Sequence, residues 1–266
     1  MPTRYIGFIT ARFPYNTTQW TQVARLTGER PNIAPYFVSF GLPFNAGLAC
    51  HVERLGALPL LQINLRHTSV AAIADGGYRN YLTHFADAVK GMKARVAISV
   101  GHEMNGNWYP WGWHHVPAVT FVKAWRVIHD SFVSAGAKNV IWVWTVNRPG
   151  SISANPAPWW PGNAYVDWVG IDSHYLRPTD TFANVYGTTI SAIRKFTACP
   201  VLIAETAIRP GAHQPAQLAD LFHGAFTTPG VLGFVWFNLV SRYDFKLQGQ
   251  NKTLAEFRIE AHRYPA

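Results

Sequence analysis

Among the acidic residues, two glutamates stand where chemistry is possible. The 266-residue chain has six glutamates, at positions 29, 53, 103, 205, 256 and 260. Glu29 falls in a turn just ahead of Pro31, while Glu53, Glu256 and Glu260 lie on stretches of helical pattern and are expected to be exposed. Glu103 and Glu205 differ, because each closes an apolar run, VAISVGHE and PVLIAE. A carboxylate at the end of a buried strand is costly unless it is hydrogen-bonded or functional. A pair of them suits a retaining glycosidase, in which one carboxyl attacks the anomeric carbon and the other protonates the leaving oxygen from about 5–5.5 Å away. The bland alternative is that each glutamate pairs with an arginine.

The setting of Glu103 favours sugar chemistry. The segment GHEMNGNWYPWGW, residues 101–113, brings Trp108, Tyr109, Trp111 and Trp113 within ten positions of it. Aromatic faces stack on the C–H faces of pyranose rings, and Asn105 and Asn107 are placed to hydrogen-bond hydroxyls. His102–Glu103 begins like the zinc-binding HExxH, but position 106 is Gly106, and the adjacent His114 and His115 do not complete a ligand set. Zinc is therefore not expected. No GxSxG elbow, GxGxxG or P-loop occurs. Further candidates at run ends are Asn147 and Arg148 as substrate contacts, His67 as a distal contact and Asp172 as a structural carboxylate. Trp159 and Trp160 either extend a cleft or cover the barrel.

Something must hold these residues at one place, and the apolar pattern supplies it. Eight runs rich in Val, Ile, Leu and aromatics fall at 5–10, 32–40, 58–65, 95–101, 139–146, 165–172, 200–205 and 231–238. Near-continuous apolar runs suit parallel strands buried on both faces. Helical stretches alternate with them, among them 18–27, 78–93, 117–135, 181–196, 215–226 and 252–262. In 117–135 the residues Ala118, Phe121, Val122, Trp125, Ile128 and Phe132 keep helical spacing. Asp180 and Thr181 suit the N-cap of the sixth helix. The Pro-, Gly- and Trp-rich stretch 147–163 carries only a weak helix. Alternation of this kind over residues 1–266 predicts an α/β fold, a (β/α)8 TIM barrel forming one catalytic domain.

Composition narrows the classes. Apolar residues make up 48% of the chain, enough for a full core. Cys50 and Cys199 are too few for a disulfide framework and read as two buried thiols. The net charge of +9 is spread out, with no three basic residues adjacent and no basic stripe, so no nucleic-acid partner is expected; affinity for anionic polymers is compatible with it. No apolar run reaches the length of a membrane span. The first residues lead directly into strand pattern without a signal-peptide core. A monomer acting on a polysaccharide or oligosaccharide outside the cell is the expectation.

The motifs resemble glycoside hydrolase family 26, whose best-known members are endo-β-1,4-mannanases. GHEMNGNWYPWG is similar to the family's acid/base segment, WWPGNAYVDWVGID (159–172) to the block entering the sixth strand, VLIAETA (201–207) to the nucleophile strand and GFVWFN (233–238) to the eighth. The matches run in order from about residue 95 to 238. Before that, only the strand–helix rhythm agrees. The resemblance implies a retaining mechanism with Glu103 as acid/base and Glu205 as nucleophile, and no metal or organic cofactor. It also implies His102 lining the sugar site beside Glu103, with Trp108 and Trp236 as walls. The family has a tyrosine two residues after the aspartate of the sixth strand, where it meets the nucleophile. Here His174 holds that position with Tyr175 next to it, so either a histidine takes the role or a bulge brings Tyr175 in. Ala207 replaces a common glycine. The resemblance implies β-1,4-mannan as substrate. A β-glucan, β-1,3-xylan or bacterial wall polysaccharide is the alternative, and a non-catalytic carbohydrate-binding barrel a more distant one.

Overall fold

A computed structural model describes residues 4–265; positions 1–3 and 266, the ends of the expected 1–266 domain, lie outside the described residues. Eight strands run in the order β1 (Tyr5–Ile9), β2 (Ile33–Ser39), β3 (Leu58–Asn64), β4 (Val96–Val100), β5 (Val140–Asn147), β6 (Trp168–Asp172), β7 (Val201–Thr206) and β8 (Val231–Phe237). They close into a barrel in sequence order. Every strand falls on one of the eight apolar runs. The helices between them are α1 (Thr18–Thr27), α2 (Ala46–Arg54), α3 (Val70–Ala74), α4 (Arg79–Lys90), α5 (Ala118–Ala135), α6 (Thr188–Ile193), α7 (Gln214–Thr227) and α8 (Asn251–Arg263). The stretch after β5 holds only two short 3₁₀ turns.

The chain forms two compact units, Tyr36–Gly170 and the remainder. In the first, β3 pairs with β4 from Leu60↔Ala97 to Ile63↔Val100, and β4 with β5 from Val96↔Val140. Helix α5 buries Phe121, Ala124, Trp125, Ile128 and Phe132, one stripe at helical spacing. It ends at Gly136 in the left-handed conformation (φ 75°), whose N–H reaches back to the carbonyls of Phe132 and Val133. In the other unit β1 lies parallel to β8 from Tyr5↔Gly233 to Ile9↔Phe237, and touches β2 at Gly7↔Ile33. Two glycines permit that fit. A Cβ on Gly7 would stand 2.3 Å from the Ile33 carbonyl oxygen, and one on Gly233 (φ 137°) only 1.9 Å from that of Tyr5.

Several expectations need correction. Helices α2 and α3 occupy stretches not singled out from sequence; they are short, and capping makes up for length. Asn45 accepts the Leu48 N–H and Ser69 the Ala72 N–H. The sixth helical stretch opens as a π-turn at Ala183–Gly187. Thr181 accepts the Asn184 N–H there, whereas the Asp180 carboxylate turns back to the N–H groups of Leu176 and Arg177. Glu260 is not exposed: it continues the buried stripe of α8 after Leu254 and Phe257, and Arg263 meets its carboxylate at 2.7 Å. Cys50 and Cys199, expected as buried thiols, are partly exposed.

Gly233→Ala adds backbone strain to a clash with the neighbouring strand. It should cost about 3 kcal/mol or more, read as a fall in the urea midpoint at unchanged slope.

Candidate active site

Strand β4 is buried along its whole length and ends in a sharp turn. Gly101 and Glu103 both have left-handed backbone, φ 57° and 56°. That conformation is natural for glycine and costs roughly 1–2 kcal/mol at Glu103. The Glu103 N–H, bonded to the Thr145 carbonyl of β5 at 2.8 Å, fixes the turn against the sheet.

Two donors grip the Glu103 carboxyl. Asn147 Nδ2 donates to Oε1 at 2.5 Å, and the Trp108 indole N–H donates to Oε2 at 2.8 Å. Asn147 is itself held by Asn105. The fully buried Asn105 amide donates to the carbonyls of Asn147 and Ala154, both at 2.8 Å, and accepts the Asn147 N–H at 2.9 Å. With those bonds made, Asn105 is a clamp on the loop, which corrects its expected contact with hydroxyls. Burial pushes the Glu103 pKa above the ordinary carboxylate value, against the opposing pull of the Asn147 and Trp108 donors. A donor bond favours the ionised form, and loss of water disfavours it more. The outcome is a carboxyl that keeps its proton to higher pH.

His102 precedes it and is almost wholly buried. Its Nε2 lies 3.3 Å from the Tyr109 hydroxyl, and its carbonyl accepts the Trp111 indole N–H at 2.9 Å. Burial first and the charge of Arg66 second lower its pKa to about 4. The imidazole is therefore neutral near pH 7 and cannot serve as the proton donor there. Trp111, only 1% exposed and stacked on Tyr109 at 4.3 Å, presents no face to solvent. Its expected sugar contact is corrected to support of His102. Trp108, at 37%, keeps an open face. Trp113 stacks on His114, Trp159 is buried as a cover, and Arg148 and His67 remain at least partly open.

In the other unit Glu205 is the fifth residue of β7, its side chain 20% exposed. His174 Nε2 lies 3.5 Å from Glu205 Oε1. The His174 ring packs against Phe237 and Phe245, centroids 5.6 and 5.1 Å away. The open choice between His174 and Tyr175 thus falls to His174. Tyr175 is fully buried: its N–H continues the ladder to the Ala207 carbonyl, and its hydroxyl donates to Asp220 at 3.1 Å. Burial, with Tyr186 and Asp220 close by, pushes that hydroxyl's pKa up. Trp236 is likewise fully buried, its indole N–H on the Phe245 carbonyl at 3.0 Å. Both expected substrate contacts are corrected to supports, since neither has an open face. Asp172 is buried at the end of β6, in keeping with a structural role.

Sequence reasoning missed Tyr186. From the π-turn its hydroxyl donates to the Ser173 carbonyl at 2.6 Å and meets the Thr206 hydroxyl at 2.5 Å, tying together the residues that flank His174 and Glu205. An aromatic on a helical stretch reads as core, so only a π-turn, which often marks a functional site, would have pointed to it. Among the described residues no three His, Cys, Asp or Glu side chains gather to hold a metal.

A family model described as Glycosyl hydrolase family 26 matches residues 74–208, just over half of the chain. The chain belongs to that family. It is by family a glycoside hydrolase. The family-26 chain is 25% identical over 249 residues to "Endoglucanase H" of Acetivibrio thermocellus, covering 88% of this chain and 28% of the relative. It is 32% identical over 102 residues to "Mannan endo-1,4-beta-mannosidase A and B" of Caldalkalibacillus mannanilyticus, covering 36% of this chain and 19% of the relative. The chain thus spans under a third of either relative's length. The catalytic domain of a Bacillus sp. JAMB-750 GH26 endo-beta-1,4-mannanase superposes with TM-score 0.70 at 15% identity, over 97% of this chain and 85% of that one, which shows the shared barrel.

Asn147→Ala removes a donor that favours ionised Glu103. The alkaline limb of the pH–rate profile should therefore move up while kcat falls about tenfold or more. A downward shift would contradict the role given to Asn147. His174→Phe keeps an aromatic ring against Phe237 and Phe245 but removes the polar atom 3.5 Å from Glu205; kcat should fall about tenfold or more, and an unchanged kcat would separate the two residues.

Proposed function

We propose that the chain is a retaining endo-β-glycoside hydrolase acting by double displacement, with Glu205 as nucleophile and Glu103 as acid/base. The observation that carries this is the setting of Glu103: a carboxyl whose pKa burial raises, yet aimed by two donors that favour its anion. A group that must give a proton and then take one needs both features. Glu103 and Glu205 also sit at carboxyl ends of parallel barrel strands, where barrel enzymes carry their chemistry.

In the first step a Glu205 oxygen attacks the anomeric carbon, the glycosidic C–O bond breaks, and the Glu103 proton passes to the departing oxygen. The glycosyl ester on Glu205 removes its negative charge. Glu103, ionised since the first step, now takes a proton from the incoming water. That water's oxygen joins the anomeric carbon as the bond to Glu205 breaks, which returns the starting configuration. Trp108 supplies a half-open face for the sugar; its indole N–H and Asn147 bond Glu103, and His174 Nε2 lies 3.5 Å from Glu205.

We take β-1,4-mannan as the substrate, on the match to the mannosidase. A mixed-linkage or other β-glucan is the second reading, favoured by the longer match to an endoglucanase and by His174 at the family's tyrosine position. We further infer a single catalytic barrel, working as a monomer outside the cell, because polymeric glycans do not enter cells intact. Among the described residues no helix is long and apolar enough to cross a membrane.

Glu205→Ala should lower turnover about 10³-fold or more. Added azide should restore rate and give an α-glycosyl azide. Near-normal activity in that variant, on a panel of mannan and glucan, would remove the assignment.

A further inference from the structure

Beside the acid/base, within the Tyr36–Gly170 unit, lies a surface that the mechanism does not use. Phe37 of β2 stands 46% exposed, an open aromatic ring 5.6 Å from the ring of His102. On His102 also rests Tyr109, at 5.0 Å, and over the Tyr109 ring sits the Arg66 guanidinium, 5.9 Å from its centroid. Arg66 is exposed and makes no ion pair among the described residues. Glu103, the carboxylate of this loop, is already occupied by Asn147 and Trp108. The charge of Arg66 is nonetheless felt at His102, which places it close to the catalytic turn.

A neutral sugar presents hydroxyls that both give and accept hydrogen bonds, whereas a guanidinium only donates. Its planar fork matches a carboxylate, sulfate or phosphate, and an aromatic ring beneath it holds it in place. Phe37 offers the adjoining apolar face that a pyranose ring requires. We propose that Phe37, Tyr109 and Arg66 form a subsite for a sugar bearing a fixed negative charge, so that a mannan or glucan backbone carrying such units is cleaved in preference to its neutral form. The net charge of +9 would draw such a polymer in. This rests on the glycosidase reading above and names the substrate class of the same site.

The test uses matched pairs: glucomannan and mixed-linkage β-glucan, each native and partly oxidised at C6 to the uronate, so that backbone is constant and charge alone varies. The full chain should cleave an oxidised member with kcat/KM about tenfold above its native partner, the preference shrinking as ionic strength rises. Arg66→Gln should abolish that ratio, and Arg66→Lys should restore it only in part, since the charge remains without the fork. Calorimetry of oxidised oligosaccharides with Glu205→Ala, with and without Arg66→Gln, reads binding apart from turnover. Equal rates on both members of each pair, or equal loss on both in Arg66→Gln, would overturn the subsite and leave the glycosidase reading intact. No hydrolysis of any member, with binding still dependent on Arg66, would sink the glycosidase reading and keep the anion site.

Discussion

Ionising a carboxyl that has little water around it is costly, and the arrangement after β4 depends on that constraint. Left to itself, a shielded Glu103 would be neutral and idle. The Trp108 and Asn147 donors narrow the gap between its two protonation states without closing it. Asn105 holds the Asn147 backbone at both its N–H and its carbonyl, and both Asn105 amide hydrogens are used. The left-handed turn at Gly101 and Glu103 belongs to the same arrangement, in which the carboxyl meets Asn147 and Trp108. Local strain of roughly 1–2 kcal/mol is modest beside the several kcal/mol that an unpartnered buried carboxylate would cost.

The two histidines show how environment separates like residues. His102 is enclosed by Tyr109, Trp111 and Phe37 with a cation nearby, and is driven to the neutral form. His174 shares its surroundings with a carboxylate 3.5 Å away and two phenylalanines. One is a shaped wall. The other is a partner for charge. Trp111 gives its indole N–H to the carbonyl of His102 itself, and Trp236 gives its own to the carbonyl of Phe245, whose ring packs on His174.

Much of this was legible in the sequence, for identifiable reasons. Strands buried on both faces leave apolar runs that no surface helix mimics, so all eight were found. The glutamates emerged because acidic residues at run ends are rare. What the sequence did not separate was aromatic contact from aromatic support: Trp108, Trp111, Tyr175 and Trp236 are alike in composition, and only their depth, 37% exposed against 1% or less, tells them apart. Glu260 failed for a related reason. A charged residue on an amphipathic helix is read as solvent-facing, but the stripe of α8 carries it inward and Arg263 compensates. The short helices α2 and α3 were missed because periodicity needs length, while their caps at Asn45 and Ser69 were plain in sequence and went unweighed.

The substitution at His174 bears on how the proposed cycle runs. A tyrosine hydroxyl offers a carboxylate one neutral hydrogen bond in every protonation state below pH 10 or so. An imidazole differs in shape and reach: the His174 Nε2 lies 3.5 Å from Glu205 Oε1, and its ring packs against Phe237 and Phe245. Tyr186 bonds the Ser173 carbonyl and the Thr206 hydroxyl, the chain neighbours of His174 and Glu205, and so fixes the backbone that carries both.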